Sequence, residues 1–188
     1  MTKVAIILAE GFEEIEAVTV IDILRRAGID VIIAGLSSNN VKGGHSITIV
    51  PDKTIDDLEI NDFDALVIPG GNPGYKNLRN DNRVLLLIRK AFKSGKIIAA
   101  ICAAPSVLSD AGIIKGKNCT IYPGMENELV QGDSTPKQDI VVIDENIITS
   151  RGPATALPFA LTIVERLAGK KIAESIRKNT LTHYLYLK

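Results

Sequence analysis

The stretch "IIAAICAAPSVLSDAG", Ile97–Gly112, decides how the rest of the chain is read. Its first half is a continuous apolar run, the pattern of a strand buried on both faces. Its second half opens on Pro105 and continues with Val107, Leu108 and Ala111, a helical spacing. Proline is tolerated in a first helical turn because the N–H it lacks would have no intrahelical partner there. A buried strand running straight into a helix is half of a β-α-β unit, and Cys102 falls on the turn between them.

The same alternation extends in both directions. "KVAIILA" is a strand, and "EEIEAVTVIDILRRAG" is a helix with apolar Ile15, Val18, Ile21 and Leu24, stopped by Gly28. "IDVIIAGL" and "DALVIPGG" are further buried strands, with "HSITIVPD" between them as an antiparallel excursion. "NRVLLLIRKAFKSG" is an apolar-faced helix closed by Gly95, and "NCTIYP" is a short strand. "DIVVIDENIITS" reads as two strands around the turn Asp144–Asn146. "PATALPFALTIVERLAG" is a helix ended by Gly169, and the amphipathic "KKIAESIRKN" precedes the tail "TLTHYLYLK". Val/Ile runs alternating with helices predict an α/β fold with a mostly parallel sheet covered on both faces. No repeat or linker-like shift interrupts the pattern, so residues 1–188 are expected to form one domain.

Twenty-two basic and twenty-two acidic side chains cancel, so no global field draws nucleic acid or an anionic membrane. No apolar run approaches the ~20 residues of a membrane helix. The amino-terminal run is short and turns acidic, which fits a first strand and not a signal peptide. Cys102 and Cys119 form neither a disulfide framework nor a C-x-x-C metal motif. A reducing cytoplasm is the expected setting.

In parallel sheets the ligand site lies at the carboxyl ends of the strands. Three features of this chain fall there: "AEGFEEIE", "PGGNPG" and Cys102. A thiol at a helix start is a candidate nucleophile, because the partial positive charge there favours thiolate. Free backbone N–H groups on the same turn can hold a developing oxyanion, with Ala103 the first donor. The competing interpretation of Cys102 is a small buried hydrophobe. Gly70 and Gly71 allow close backbone approach and a second donor, but the P-loop spacing and its lysine are missing. Glu13 and Glu14 are expected to be solvated charges of a first helical turn. Glu16, set among Ile15, Ala17 and Val18, is expected to point inward, where burial would raise its pKa and suit it to proton transfer. Cys119 is expected to be packing. His45 and His183 are lone histidines without ligand spacing, expected to be surface or core fillers, so no metal site is expected.

Four separated motifs, "ILAEGFEEIEAV", "VIPGG", "AAICAAP" and "TSRGPATA", resemble those of the ThiJ/PfpI superfamily in order and spacing. Resemblance is closest to its parkinsonism-associated deglycase-like branch, which includes bacterial chaperone-like members. The resemblance implies a flavodoxin-like three-layer sandwich, a homodimer, and a cysteine on a strained nucleophile elbow bonded to a buried protonated glutamate. Carried onto this chain, the cysteine is Cys102, the glutamate is Glu16, and the backbones of Gly71 and Ala103 form the oxyanion hole. Gly70, Tyr122, Arg151 and Pro153 are then expected to line the site. Two departures matter. PfpI-type peptidases carry histidine directly after the cysteine, where this chain has Ala103, and glutaminase domains need a late H-x-E pair that is absent. Both amide-hydrolysing activities lose their base. Some relatives also carry histidine where this chain has Tyr122. The implied activity is a cofactor-independent cysteine enzyme of glyoxalase/deglycase type, acting on small reactive aldehydes or glycated adducts. The alternatives are a non-enzymatic oxidative-stress sensor or chaperone that uses oxidation of Cys102 and, more distantly, a phosphate-binding flavodoxin-like module. Apolar Val20 and Ile23, off the main stripe of the first helix, are expected to form a partner surface.

Overall fold

A computed structural model of the chain describes residues 2–37 and 40–186. The first half contains β1 (Lys3–Leu8), α1 (Glu14–Arg26), β2 (Asp30–Gly35), β3 (Val41–Lys42), β4 (Thr48–Ile49), β5 (Lys53–Thr54), β6 (Ala65–Ile68), α2 (Gly74–Arg79) and α3 (Asn82–Lys93). The second half contains β7 (Ile97–Ile101), α4 (Pro105–Asp110), β8 (Asn118–Cys119), α5 (Glu126–Gln131), β9 (Thr135–Pro136), β10 (Val141–Asp144), β11 (Ile147–Ser150), α6 (Ala156–Ala168) and α7 (Lys170–Asn179).

The main sheet has seven strands in the order β10-β11-β7-β6-β1-β2-β5. Every neighbouring pair in it is parallel except the hairpin β10–β11. Side-chain alternation explains why its strands look uniformly apolar in sequence. Val4, Ile6 and Leu8 face one core with α1 and α6, while Ala5, Ile7 and Ala9 face a second core with α3 and α4. The strand β7 divides likewise, Ala99 and Ile101 against Ile98 and Ala100. Neither face meets water, so neither carries a polar alternation. From β1 the chain steps to β2 on one side, then returns to place β6 on the other. The strand order therefore reverses between β1 and β6, and a cleft opens outside their carboxyl ends. The described residues include no helix long and apolar enough to cross a membrane.

Three local expectations change. In α1 the buried stripe is Ala17, Val20, Ile21 and Leu24, with Ile23 beside it, whereas Ile15 and Val18 are 56% and 44% exposed. The helix packs against α6 as well as the sheet, which rotates its apolar face onto Val20 and Ile23. When most positions are apolar, two neighbouring stripes have the same period, and only the packing partner selects between them. The "HSITIVPD" strand shrinks to β4, paired antiparallel with β3, and Val50 is exposed. The strand in "NCTIYP" is only β8, which pairs with β9 outside the main sheet. The last two residues of the tail, 187 and 188, lie outside the described residues.

Candidate active site

Cys102 immediately follows β7 and has φ +64°, a left-handed conformation that side chains other than glycine adopt at a cost of order 1–3 kcal/mol. Hydrogen bonds hold it there: Cys102 N–H donates to Ser150 C=O at 3.0 Å, and Tyr122 N–H donates to Cys102 C=O at 2.9 Å. Small Ala103 and Ala104 follow, both buried, and Pro105 opens α4. The backbone N–H groups of Ala103 and Gly71 donate toward the Cys102 sulfur.

Glu16 sits in the first turn of α1 and is fully buried. Its Oε2 accepts the Gly70 N–H at 2.7 Å, while Oε1 is buried without a partner of good hydrogen-bond geometry. Burial pushes the carboxyl up to about 7, against the lowering effects of the Gly70 N–H and of the Cys102 thiol. Gly70 makes the contact possible. A methyl group on it would lie 2.8 Å from Cys102 Cβ and 2.9 Å from Glu16 Oε2. At Gly71, with φ +98°, an added Cβ would collide with the backbone of Gly11, Phe12 and Glu13.

The expected lowering of the Cys102 pKa is not what this environment produces. Burial pushes the thiol up, the neighbouring Glu16 charge pushes it further, and the two backbone donors only partly oppose them. The short α4, six residues long, supplies little dipole to offset this. Near neutral pH the thiol and carboxyl therefore act as one unit that holds at least one proton.

A cavity of about 380 Å³ opens above the sulfur, lined by Glu13, Gly71, Asn72, Tyr75, Cys102, Ala103, Tyr122, Met125 and Pro153. Cys102, Gly71, Ala103, Tyr122 and Pro153, named from sequence, are thus brought together. Glu16 and Gly70 lie behind the sulfur, outside the lining. Arg151 turns away: its guanidinium donates to Gln138 Oε1 at 2.6 Å and lies 3.9 Å from Glu126. Glu13, Asn72, Tyr75 and Met125 were missed. Asn72 and Tyr75 flank the glycine turn and were recoverable from it; Met125 carries no comparable signal.

Glu14 and His45 also depart from expectation. Glu14 is buried, not solvated, and accepts the backbone N–H of His45 at 2.6 Å. His45 Nδ1 lies 2.9 Å from the other Glu14 oxygen, so this histidine is not isolated. Cys119 is buried, which pushes its thiol up to about 11.

Fold and site define a class: a three-layer α/β sandwich with a thiol and a buried carboxyl paired at the carboxyl ends of a parallel sheet. Residues 2–166 match the DJ-1/PfpI family, and the chain belongs to that family. It is 44% identical over 186 residues to protein dj-1beta of Drosophila melanogaster, covering 98% of this chain and 100% of that protein. The crystal structure of Drosophila melanogaster DJ-1beta superposes with a TM-score of 0.91 at 42% identity, covering 96% of this chain and 97% of that one. The chain is also 39% identical over 178 residues to glutathione-independent glyoxalase DJR-1.2 of Caenorhabditis elegans, covering 94% and 95% of the two chains. With deglycase PH1704 of Pyrococcus horikoshii it shares 33% identity over 165 residues, 88% of this chain and 99% of that one.

Proposed function

We propose that this protein is a cofactor-independent cysteine enzyme acting on small reactive carbonyls, with methylglyoxal as the reference substrate. The observation that carries the proposal is the buried Glu16–Cys102 pair, open to a cavity through the sulfur and backed by Gly70. The names of the glyoxalase and deglycase relatives support the same chemistry.

In the proposed cycle the pair enters with one proton. As the sulfur attacks the aldehyde carbon, a C–S bond forms and the thiol proton passes to Glu16. The aldehyde oxygen takes the negative charge, held by the Gly71 and Ala103 N–H groups, and then takes the proton from Glu16. Glu16, again a carboxylate, removes the former aldehyde C–H proton and delivers it to the adjacent carbon, while the hydroxyl proton on the first oxygen passes to the neighbouring ketone oxygen. That internal transfer oxidises one carbon and reduces its neighbour, leaving a thioester with no external oxidant. Water cleaves the C–S bond, releasing lactate and restoring the thiol–carboxyl pair. Tyr122 and Pro153 form the mouth of the site in this proposal, and Arg151 supports it from outside the cavity.

Lactate formation from methylglyoxal by the purified protein, Cys102→Ser and Glu16→Gln tests the assignment. Turnover confined to the parent protein supports it. No turnover in the parent, with clean addition of two oxygens to Cys102 under peroxide, overturns it in favour of an oxidation sensor.

The protein is further proposed to act as a homodimer of single-domain subunits in the cytoplasm. Exposed Ile15 and Val18 support the dimer, since they border a groove that continues over Pro153, Ala154 and Leu157. That face replaces Val20 and Ile23, which are core. Both cysteines are free, as a reducing compartment would keep them.

A further inference from the structure

Glu13 stands at the N-cap of α1, but its side chain makes no capping hydrogen bond. A typical N-cap side chain accepts an N–H of the first helical turn. Glu13 instead forms part of the wall of the cavity over Cys102, together with Gly71 and Ala103. Its backbone fixes that place. Glu13 N–H donates to Gly70 C=O at 3.0 Å, and Gly71 lies so close that an added Cβ would collide with the Glu13 amide. Gly71 is one of the two donors proposed for the oxyanion, so Glu13 is packed directly against the turn that would hold the reacting carbonyl.

The Glu13 side chain is 14% exposed, and among the described residues its carboxyl accepts no hydrogen bond and pairs with no lysine or arginine. Its ion-pair partner, His45 Nδ1, lies at 3.6 Å and is held more closely by Glu14 Oε2 at 2.9 Å. A largely buried carboxylate without a donor is costly, and water or substrate in the cavity can supply one. The proposed cycle needs such a group. It ends with water cleaving a Cys102 thioester, a step assisted by a base on the cavity side of the sulfur. Glu16 lies behind the sulfur, with Oε2 bonded to the Gly70 N–H and Oε1 buried. Tyr75 and Tyr122 also line the cavity, but phenols are protonated near neutral pH. The Asn72 amide is not basic, and the Cys102 sulfur carries the acyl group. Among the described residues of the wall, Glu13 is the base that remains.

Granted the carbonyl chemistry proposed above, we propose that Glu13 is the general base of thioester hydrolysis, while Glu16 serves the earlier proton transfers. Glu13 takes a proton from water as the water oxygen bonds to the thioester carbon. The carbonyl electron pair moves onto its oxygen, and the Gly71 and Ala103 N–H groups hold that oxyanion. When the C=O bond re-forms, the C–S bond breaks and its electron pair leaves on sulfur. Glu13 passes its proton to the sulfur, which restores the thiol, and the released acid gives its own proton to solvent as lactate. No oxidant or reductant is consumed. The two carboxyls thus divide the work by position, one behind the sulfur and one on the cavity side.

Glu13→Gln, mixed with methylglyoxal, quenched in acid and read by intact mass, tests the role. Lactate formation should fall on the order of 10²-fold or more while a lactoyl thioester accumulates on Cys102. A hemithioacetal has the same mass but reverses on gel filtration. The thioester survives it and yields a hydroxamate with hydroxylamine. Glu16→Gln should accumulate no thioester, because its block comes earlier. Glu13→Asp keeps a carboxylate and should show slower lactate formation with detectable thioester, which gives the same readout if glutamine disturbs the fold. Circular dichroism and a urea melt verify folding of each protein. No lactate from the parent protein overturns the carbonyl enzyme itself, and the role of Glu13 with it. With the parent active, normal turnover in folded Glu13→Gln, or slow turnover without thioester, overturns the role of Glu13 alone.

Discussion

Replacing Glu16 by glutamine separates its proton-transfer role from its packing role. Glutamine keeps the size and can still accept the Gly70 N–H, but it cannot cycle a proton. On methylglyoxal, kcat is expected to fall on the order of 10²-fold or more, the usual scale of general acid–base catalysis. Stability should move the other way. Burial raises the Glu16 pKa from 4.5 to about 7. For a carboxyl whose folded pKa is raised, the stabilising contribution is complete below the unfolded pKa and is lost as pH climbs through the folded one. At 1.36 kcal/mol per pKa unit, the loss across that window is roughly 3 kcal/mol. Urea unfolding of parent and Glu16→Gln from pH 4.5 to pH 8.5 measures it, and the difference between the two proteins cancels contributions from other groups. The parent should lose stability relative to the variant across this range, most of it below pH 7. A difference that does not vary with pH would refute the buried, proton-holding carboxyl. Unchanged turnover in Glu16→Gln would refute its catalytic role.

Iodoacetamide should label Cys102 well before the buried Cys119, at a rate rising through about pH 7 as the thiol–carboxyl pair loses its first proton; mass spectrometry resolves the two sites, and equal labelling would contradict the assignment. The same ionisation predicts that kcat/KM for methylglyoxal rises through about pH 7 in the parent, a rise that Glu16→Gln should abolish. Gly70→Ala is expected to separate the sulfur from Glu16 and cost at least about tenfold in kcat/KM, roughly 1.4 kcal/mol of transition-state stabilisation; unchanged kinetics in the folded variant would show that the close approach is unnecessary. Ile15→Asp with Val18→Asp should convert a sedimenting dimer to monomer while leaving the fold intact, because both side chains are exposed; a parent protein that sediments as monomer at micromolar concentration would remove the dimer proposal.

What the sequence determined by itself is local and periodic. Continuous apolar runs alternating with helical patterns specify buried parallel strands because both faces must be apolar. Pro105 directly behind an apolar strand fixes the strand-to-helix turn, and with it the place of Cys102. An acidic residue flanked by apolar ones carries the inward pointing of Glu16. Choices between equivalent local patterns were left to tertiary structure. Two stripes of α1 share one period, and contact with α6 buries Val20 and Ile23 while leaving Ile15 and Val18 in solvent. First-turn charge gave no reason to distinguish Glu13 from Glu14 until the Gly43–Ile47 loop folded across and enclosed one of them. The thiol shows the same limit: a helix start favours thiolate, but the balance of charges at Cys102 belongs to its surroundings. Desolvation and the nearby Glu16 carboxyl depend on groups distant in sequence, brought together only when the sheet assembles, and they outweigh the turn's own dipoles.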